Sequence, residues 1–468
     1  MIKKNTLQEL LFEDLSHAPN WDKAHEYALA YTRQGRERNV FPSQDALANL
    51  SHFEEPMPAF PLASTQEILD LLHQYGGPAT VQTNVGGRYF GFVTGGVIPA
   101  VLPIKWLADV WDQAPAMDVL SPIGGKLEAV VEGWLMELFG LPDRTVAGFV
   151  SGSSMAIFCG LAAGRYRILQ RQGWDVNAKG LAGAPPIRVI TSKHTHSTVK
   201  KAIALLGLGL DNVEWVEVDN QGRIVVELVP ELDETCMLLL QAGNVNSGSF
   251  DDFETLCTKA KKANAWVHID GAFGLWAACV KELKYLTKGM ELGNSFSVDG
   301  HKTLNTPYDS GVVLCDDREA LIASLQATGA YILYDDEKRD GMRYTPEMSR
   351  RARVIEMWAA LKFLGKAGVN DMILGMHLRA KQFAEELSAA GFEILNEVVF
   401  NQVMVRYQTD ELTHKIEKQV QELRECWAGG SSWFGKKVIR ISVCSWATTE
   451  EDVRRSVASF VKARDMIV

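Results

Sequence analysis

The strongest constraint on the fold is an alternation, between about residue 145 and residue 315, of short β-rich apolar runs with segments of helix length. Such alternation is typical of doubly wound α/β proteins, in which helices cover both faces of a largely parallel sheet. The runs from which we predict strands are Ile187 to Thr191, Val213 to Val218, Cys236 to Gln241, Trp266 to Ile269, Ser295 to Val298 and Val312 to Cys315.

The chain of 468 residues is long enough for more than one packed core. Residues 83–362 contain the alternating pattern, and we predict that they form the large domain. Residues 363–468 alternate helical segments with strand-like runs, which predicts a small C-terminal α+β domain. Residues 1–82 are helical in pattern but carry little core of their own, so we expect this N-terminal arm to pack on a second subunit.

The composition argues against several classes of protein. The formal net charge is −10 and the basic residues are not clustered, so no nucleic-acid partner is expected. The apolar runs are far shorter than the roughly 20 residues of a membrane-spanning helix. Acidic residues interrupt the first segment, so no signal peptide is expected. The seven cysteines form no C-x-x-C pair, which favours a reducing compartment, and we expect a cytoplasmic protein.

Two predicted strands end beside residues that can do chemistry. Asp270 follows the run AWVHI, and Lys302 ends the sequence Asp299-Gly300-His301-Lys302 after the run SFSV. Ligands of open α/β sheets bind beyond the carboxyl ends of the strands. Taken singly, Asp270 could cap a helix and Lys302 could be a solvated lysine. Together, the lysine can form a Schiff base with a carbonyl cofactor while the acid keeps a pyridine nitrogen protonated.

A helix start after another apolar run could bind a phosphate group. The chain passes through Gly152, Ser153 and Ser154 into a helix-length segment. Free backbone N–H groups at a helix start, together with serine hydroxyls, suit a phosphate monoester. A serine N-cap is the simpler explanation of the same residues.

The segment His194-Thr195-His196 follows the predicted strand IRVIT and precedes a helix that Ser197 could cap. A flat imidazole at this position could stack on an aromatic ring. The H-x-H pattern also occurs in metal sites, but no matching cysteine or histidine cluster accompanies it in the sequence. We therefore expect no metal.

Several motifs occur in the order found in one enzyme family. They are GRYFGFVTGG, SPIGGKLEAVVEGWLMELFGLP, SGSSMAIFCGLAAGR, HTHSTVKKA, GNVNSGSFDD, HIDGAFG, SVDGHKTLNTPYDSG and SRRARVIEMW. From about residue 80 onward the chain resembles the group II pyridoxal 5′-phosphate (PLP)-dependent amino acid decarboxylases, which include glutamate, aromatic amino acid and histidine decarboxylases. The resemblance implies the fold type I architecture of aspartate aminotransferase, with a mostly parallel seven-stranded sheet. It also implies a homodimer whose active site lies at the subunit interface.

The resemblance implies roles for individual residues. Lys302 is expected to carry PLP as a Schiff base, Asp270 to bind the pyridine nitrogen, and His196 to stack on the ring. Asn246 stands where a threonine is frequent in the family. The full set of cofactor contacts expected from the resemblance is Ser153, Ser154, His196, Asn246, Asp270, His301 and Lys302.

The residue that returns a proton to the substrate is harder to assign. In the aromatic amino acid enzymes it is a tyrosine on a mobile loop of the opposite subunit. The matching segment here, residues 329–350, is shorter. Tyr344 in GMRYTPEMSRR is the best match, with Tyr331 and Tyr334 nearby, and an ordinary exposed loop tyrosine is the alternative for Tyr344. His196 is the other candidate for the acid that returns the proton.

The reaction predicted from these observations is PLP-dependent decarboxylation of an L-amino acid to an amine and CO2. Other reactions of the same cofactor remain alternatives, namely aldehyde-forming deamination, transamination and carbon–carbon cleavage. A transaminase would need a fixed arginine for the α-carboxylate; Arg440 could serve or could be a structural strand residue. A PLP-binding protein without turnover is a further alternative, which the complete set Lys302, Asp270 and His196 argues against. The residues predicted to line the substrate pocket are Tyr89, Phe90, Phe92 and Thr94.

Overall fold

The computed structural model describes residues 6–59, 64–326 and 338–468. Within these ranges the large domain is built on a seven-stranded sheet in the order β1-β7-β6-β5-β4-β2-β3, in which β7 runs antiparallel to its neighbours and the other pairs are parallel. The strands are β1 (Val146–Val150), β2 (Arg188–Ser192), β3 (Val213–Val216), β4 (Cys236–Gln241), β5 (Trp266–Asp270), β6 (Ser295–Asp299) and β7 (Gly311–Cys315).

The prediction of a mostly parallel α/β sheet is confirmed, and every predicted strand is present within a few residues of its expected bounds. Every residue of β4, β5 and β6 is buried. Strands that are covered on both faces have continuous apolar sequences, which is why the strands of this sheet could be predicted from the sequence.

Helices cover both faces of the sheet and divide the core of the large domain in two. One face packs on α6 (Pro122–Phe139), α10 (Phe253–Lys262) and α12 (Val354–Ala389). The other face packs on α7 (Ser153–Arg171), α9 (Ser197–Leu205) and α11 (Arg318–Leu325). The functional residues described below lie at the carboxyl ends of the strands, on the face that carries α7.

The small domain contains a four-stranded antiparallel sheet in the order β10-β11-β9-β8, among the described residues. Its elements are β8 (Glu393–Ile394), β9 (Gln402–Arg406), α13 (Asp410–Leu423), β10 (Gly429–Trp433), β11 (Lys436–Ser442) and α14 (Glu450–Asp465). The predicted boundary after residue 362 falls inside α12, close to a break in its helical dihedrals at Gly365 (φ 59°). The α+β character of this domain agrees with the prediction.

The remaining described α-helices are largely N-terminal and, apart from α2, have ten residues or fewer. They are α1 (Leu7–Leu15), α2 (Ala18–Gln34), α3 (Gln44–Ala48), α4 (Thr65–Leu71), α5 (Leu102–Trp111) and α8 (Val176–Lys179). No residue of α1 is buried, although most of its side chains are apolar. Across the three described ranges, no helix is both long and apolar enough to cross a membrane.

Candidate active site

Three neighbouring strands end in polar side chains that form one row. These are Asp299 at the end of β6, Asp270 at the end of β5 and Gln241 at the end of β4. Gln241 pairs in register with Asp270. Residues paired in a parallel sheet project from the same face, and ligands bind at this edge of such sheets.

Lys302 lies beside this row and is paired with Asp299. The Lys302 Nζ atom is 2.9 Å from Oδ2 of Asp299, whose side chain is 1 % exposed. Burial lowers the pKa of the Lys302 ammonium, but the attraction of Asp299 outweighs it, so the pKa stands above its ordinary value. Asp299 therefore stabilises a positive charge on this nitrogen, in an ammonium or in a protonated imine.

Asp270 is held in a fixed orientation by its neighbours. Its Oδ1 atom accepts hydrogen bonds from the Ser297 hydroxyl at 3.1 Å and from the Ala272 backbone N–H at 3.2 Å. Both bonds go to Oδ1, which leaves Oδ2 for a ligand. The side chain lines the same cavity as Lys302.

His196 forms the N-cap of α9, whereas Ser197, the predicted cap, is its first helical residue. The His196 Nδ1 atom accepts a hydrogen bond from the Thr198 N–H at 3.3 Å and lies 2.7 Å from the Thr198 hydroxyl. Burial lowers the pKa of His196, more than nearby Asp270 raises it. The imidazole is thus neutral at pH 7 and its ring plane is fixed, as stacking on a second ring requires.

The start of α7 presents backbone donors to the site. Gly152 is the N-cap and makes no side-chain capping bond, so the alternative of a serine N-cap at Ser153 or Ser154 is wrong. The Ser153 N–H donates to Oδ1 of Asp299 at 2.6 Å. Gly311 approaches so closely that a Cβ atom there would be 2.4 Å from the Gly152 Cα. Ser153 also lines the cavity, so this helix start faces a ligand bound there, with its first N–H already bonded to Asp299.

Of the other residues predicted to contact the cofactor, Asn246 lines the cavity and His301 does not. Asn246 lines the cavity, and its Oδ1 accepts a hydrogen bond from the Ser431 hydroxyl at 2.8 Å. His301 is buried behind the cavity, where its Nδ1 accepts a bond from the Ser310 N–H at 3.1 Å and its Nε2 is 3.6 Å from Asp299 Oδ2. Burial lowers the His301 pKa, so it supports Asp299 as a neutral ring.

Arg440 on β11 projects into the same cavity. Its guanidinium donates to the Val245 carbonyl at 2.7 Å and to the Phe92 carbonyl at 3.0 Å. Burial lowers its pKa to about 10, so the group stays charged at neutral pH. Within the described part of the chain, Arg440 makes no ion pair with a carboxylate, which leaves a half-buried cation available to an anionic ligand.

These groups surround one cavity of about 570 Å³ between the sheet edge and the small domain. Phe92 and Thr94 line it as predicted, whereas Phe90 is buried in the small-domain core against Phe383. Sequence reasoning did not single out Gln241 or Tyr308 as site residues. Tyr308 lies in the motif SVDGHKTLNTPYDSG, in which Lys302 and His301 are the more obvious candidates for chemistry. The Tyr308 ring stacks on His301 at a centroid distance of 4.4 Å.

Tyr344 does not line the cavity of its own chain and is not an exposed loop tyrosine; its predicted role in the site of the opposite subunit stays a prediction. Its side chain is 4 % exposed, and its hydroxyl accepts hydrogen bonds from Arg318 at 3.1 and 3.2 Å. Arg318 follows the carboxyl end of antiparallel β7, so it lies at the sheet edge opposite the cavity. The other two tyrosines considered, Tyr331 and Tyr334, lie outside the described residues.

Comparison with known proteins identifies this arrangement. The fold is that of PLP-dependent enzymes of known structure: a rice enzyme solved with PLP and tryptamine (Oryza sativa TDC) superposes with a TM-score of 0.86 at 20 % identity, covering all of both chains. Rhodiola rosea 4-hydroxyphenylacetaldehyde synthase superposes with a TM-score of 0.82 at 22 % identity, over 99 % of each chain. At such identities the likeness establishes the fold alone.

The model of the pyridoxal-dependent decarboxylase conserved domain matches residues 81–408, and the chain belongs to this family. The mouse acidic amino acid decarboxylase GADL1 is 25 % identical over 365 residues, which are 74 % of this chain and 64 % of the mouse protein. The chain thus matches less than two thirds of that relative. An aromatic-L-amino-acid decarboxylase of Bacillus atrophaeus is 25 % identical over 389 residues, 78 % of each chain.

The residues present fit the cofactor of this family. An amine that can form an imine (Lys302), a carboxylate with a free oxygen (Asp270) and an open helix start (Ser153) meet in one cavity. They correspond to the aldehyde, the pyridine nitrogen and the phosphate of PLP. Among the described residues there is no cluster of three or more side chains able to hold a metal ion.

The close packing of two glycines yields a testable prediction. Replacing Gly311 with alanine should displace the start of α7, because the added Cβ meets backbone rather than a movable side chain. We expect PLP affinity, measured by titration of the imine absorbance, to fall by at least about tenfold, the effect of losing one hydrogen bond to a charged group. Gly133→Ala is the matched control, since its Cβ meets nothing within 4 Å; equal affinities of the two variants would contradict the prediction.

Proposed function

We propose that the protein decarboxylates an L-amino acid to the corresponding amine and CO2. The observation that carries this proposal is the meeting of Lys302, Asp270 and the start of α7 in one cavity of a pyridoxal-dependent decarboxylase family member. When bound, PLP supplies an electron sink for the pair left behind when a bond to the α-carbon breaks.

The protein's own groups hold and orient the reacting partners. Asp270 keeps a proton on a pyridine nitrogen through its free oxygen, while Ser297 prevents the carboxylate from rotating. The neutral His196 ring forms one wall of the cavity. Lys302 provides the amine that binds the cofactor aldehyde and takes part in the release of product, with Asp299 stabilising its positive charge.

The reaction is tested directly by incubating the purified, PLP-loaded protein with a panel of L-amino acids and identifying the products by mass spectrometry. The panel includes acidic and aromatic amino acids because relatives named for each class are similar to this chain. We expect an amine that has lost CO2, and we expect Lys302→Ala to abolish both the imine absorbance and turnover. An aldehyde or a keto acid as the main product would favour the alternative PLP reactions, and no conversion would favour a non-catalytic role.

We further propose that Arg440 binds the α-carboxylate of the incoming amino acid, a role that would also serve a transaminase and therefore does not distinguish the two reactions. Its half-buried guanidinium lines the cavity and has carbonyl partners but no carboxylate partner among the described residues, so its charge faces an anionic group bound there. The carbonyl bonds use two of its five N–H groups, so others remain for the substrate.

The variant Arg440→Gln distinguishes two roles of this residue: binding the substrate carboxylate and holding the cavity wall in place. We expect the KM for the amino acid to rise by about 10- to 100-fold, the usual effect of losing a hydrogen bond to a charged group. Inhibition by the amine product, which lacks that carboxylate, should change little. A parallel loss of affinity for substrate and product would mean that Arg440 acts only by holding Phe92 and Val245.

We also propose a cytoplasmic homodimer in which the arm of residues 1–82 packs on the partner and the active site lies at the interface. All seven cysteines are free thiols, which supports a reducing compartment. Support for the dimer comes from large apolar side chains left exposed on α1, on α5 and near residue 120, which a monomer rarely leaves uncovered. They include Leu11, Phe12, Leu15, Leu107, Trp111, Val119 and Leu120.

Light scattering of the purified protein should give about twice the chain mass of 51.8 kDa. Introducing a charge with Leu107→Asp should shift the protein toward monomer, because a buried unpaired carboxylate disfavours an apolar interface. The equivalent change Leu228→Asp, at an exposed leucine remote from these helices, serves as control. A monomeric wild-type protein would contradict the proposal.

A further inference from the structure

Gln241 carries a buried polar group with no protein partner. Its side chain lines the active-site cavity although the residue is only 4 % exposed. The amide nitrogen Nε2 is inaccessible to solvent and makes no hydrogen bond to any residue that the structure describes. Leaving a buried donor unpaired is costly, so such a group in an active site points to a ligand.

The backbone around Gln241 fixes where this amide points. The Gln241 N–H donates to Oδ2 of Asp251 at 2.7 Å, and the Gln241 carbonyl accepts from the Asp251 N–H at 3.1 Å. Its register partner is Asp270, so the two side chains leave the same face of the sheet side by side. The fixed backbone thus places the Gln241 side chain next to the carboxylate assigned to the pyridine nitrogen.

The topology of the sheet decides which edge of the cofactor ring Gln241 meets. In PLP the ring nitrogen and the carbon bearing the aldehyde lie opposite each other. The phosphate arm and the phenolic oxygen lie on opposite sides of that axis. Ser153, at the phosphate end, is bonded to Asp299 of β6. Gln241 ends β4, and in the sheet order β5 with Asp270 stands between β6 and β4.

We propose that the Gln241 side-chain amide donates a hydrogen bond to the phenolic oxygen of PLP. This inference rests on the cofactor contacts of the proposed function but not on which reaction follows. The side chain reaches beyond Asp270 because glutamine is one methylene longer. The bond stabilises the phenolate, and it does so most strongly once the imine has lost its proton and no longer shares that proton with the oxygen.

The first consequence is spectroscopic. Removing the donor with Gln241→Leu should raise the pH at which the imine of Lys302 loses its proton by about one unit, seen as a shift in its absorbance titration. Gln241→Glu should raise it further, because a carboxylate repels the phenolate. The other titratable or charged groups near this nitrogen are unchanged in both variants: His196, Asp270, Asp299, His301, Tyr308, Arg440 and Cys444.

The decisive test is a thermodynamic cycle in which the Gln241 side chain and the phenolic oxygen of the cofactor are removed separately and together. Wild type and Gln241→Leu are each titrated with PLP and with 3-deoxypyridoxal 5′-phosphate, which lacks that oxygen, and affinity is measured without any amino acid present. We expect Gln241→Leu to weaken PLP binding about tenfold and to leave binding of the deoxy compound nearly unchanged. Equal losses for the two compounds would overturn the proposal, because they would mean that Gln241 acts only by packing.

Two comparisons keep the outcome unambiguous. Asn246→Leu removes the other amide that lines the cavity, and we expect it to affect both compounds alike; coupling at Asn246 instead of Gln241 would overturn the proposal. Gln241→Met retains an unbranched side chain and repeats the cycle if Gln241→Leu folds poorly. Lys302→Ala tests the underlying site: an imine band that persists there contradicts the cofactor assignment, whereas failure of the Gln241 cycle alone leaves that assignment intact.

Discussion

The carboxylate of Asp299 is the contact on which the rest of the site depends. It accepts a bond from the first N–H of α7 at 2.6 Å and pairs with the Lys302 ammonium at 2.9 Å. A carboxylate that is 1 % exposed would be strongly unfavourable alone. Here a helix N-terminus and a cation neutralise it from two sides. This one group therefore sets the spacing between the start of α7 and the Lys302 amine.

The parallel sheet sets the spacing of the site residues that lie at the ends of β4, β5 and β6. Adjacent strands lie about 4.8 Å apart, so the ends of β4, β5 and β6 together span about 10 Å. Asp270 pairs with Gln241 on β4 but with Ser297 on β6, so Asp299 lies two residues, about 6.6 Å, further along its strand than the row of Gln241 and Asp270. The buried strands hold the row rigidly, because helices pack on both faces and leave no freedom for one strand end to move alone.

Most of the large domain could be predicted from the sequence, because buried parallel strands have continuous apolar sequences and polar residues mark where they end. Lys302, Asp270 and His196 were found in this way and share the cavity. The burial of Tyr344 against Arg318 could not be read from the sequence, because nothing in its neighbouring residues indicates this contact. Gln241 was missed because it ends a predicted strand as an uncharged residue, and its unpaired amide is visible only in three dimensions.

The strand β10 was also missed, and its composition has a physical reason. The sequence GGSSW has little tendency to form a strand, since glycine packs nothing and is conformationally free. Gly429 pairs with Arg440 on β11, and paired residues share a face. A Cβ atom at Gly429 would meet only the Trp427 ring, at 3.4 Å, whereas one at Gly430 would be 2.5 Å from Glu417 Oε2. The Gly430 N–H donates to the same carboxylate at 2.8 Å, so close packing on Glu417 requires glycine at this position. This contact and the pairing with β11 hold β10 in place despite its low strand propensity.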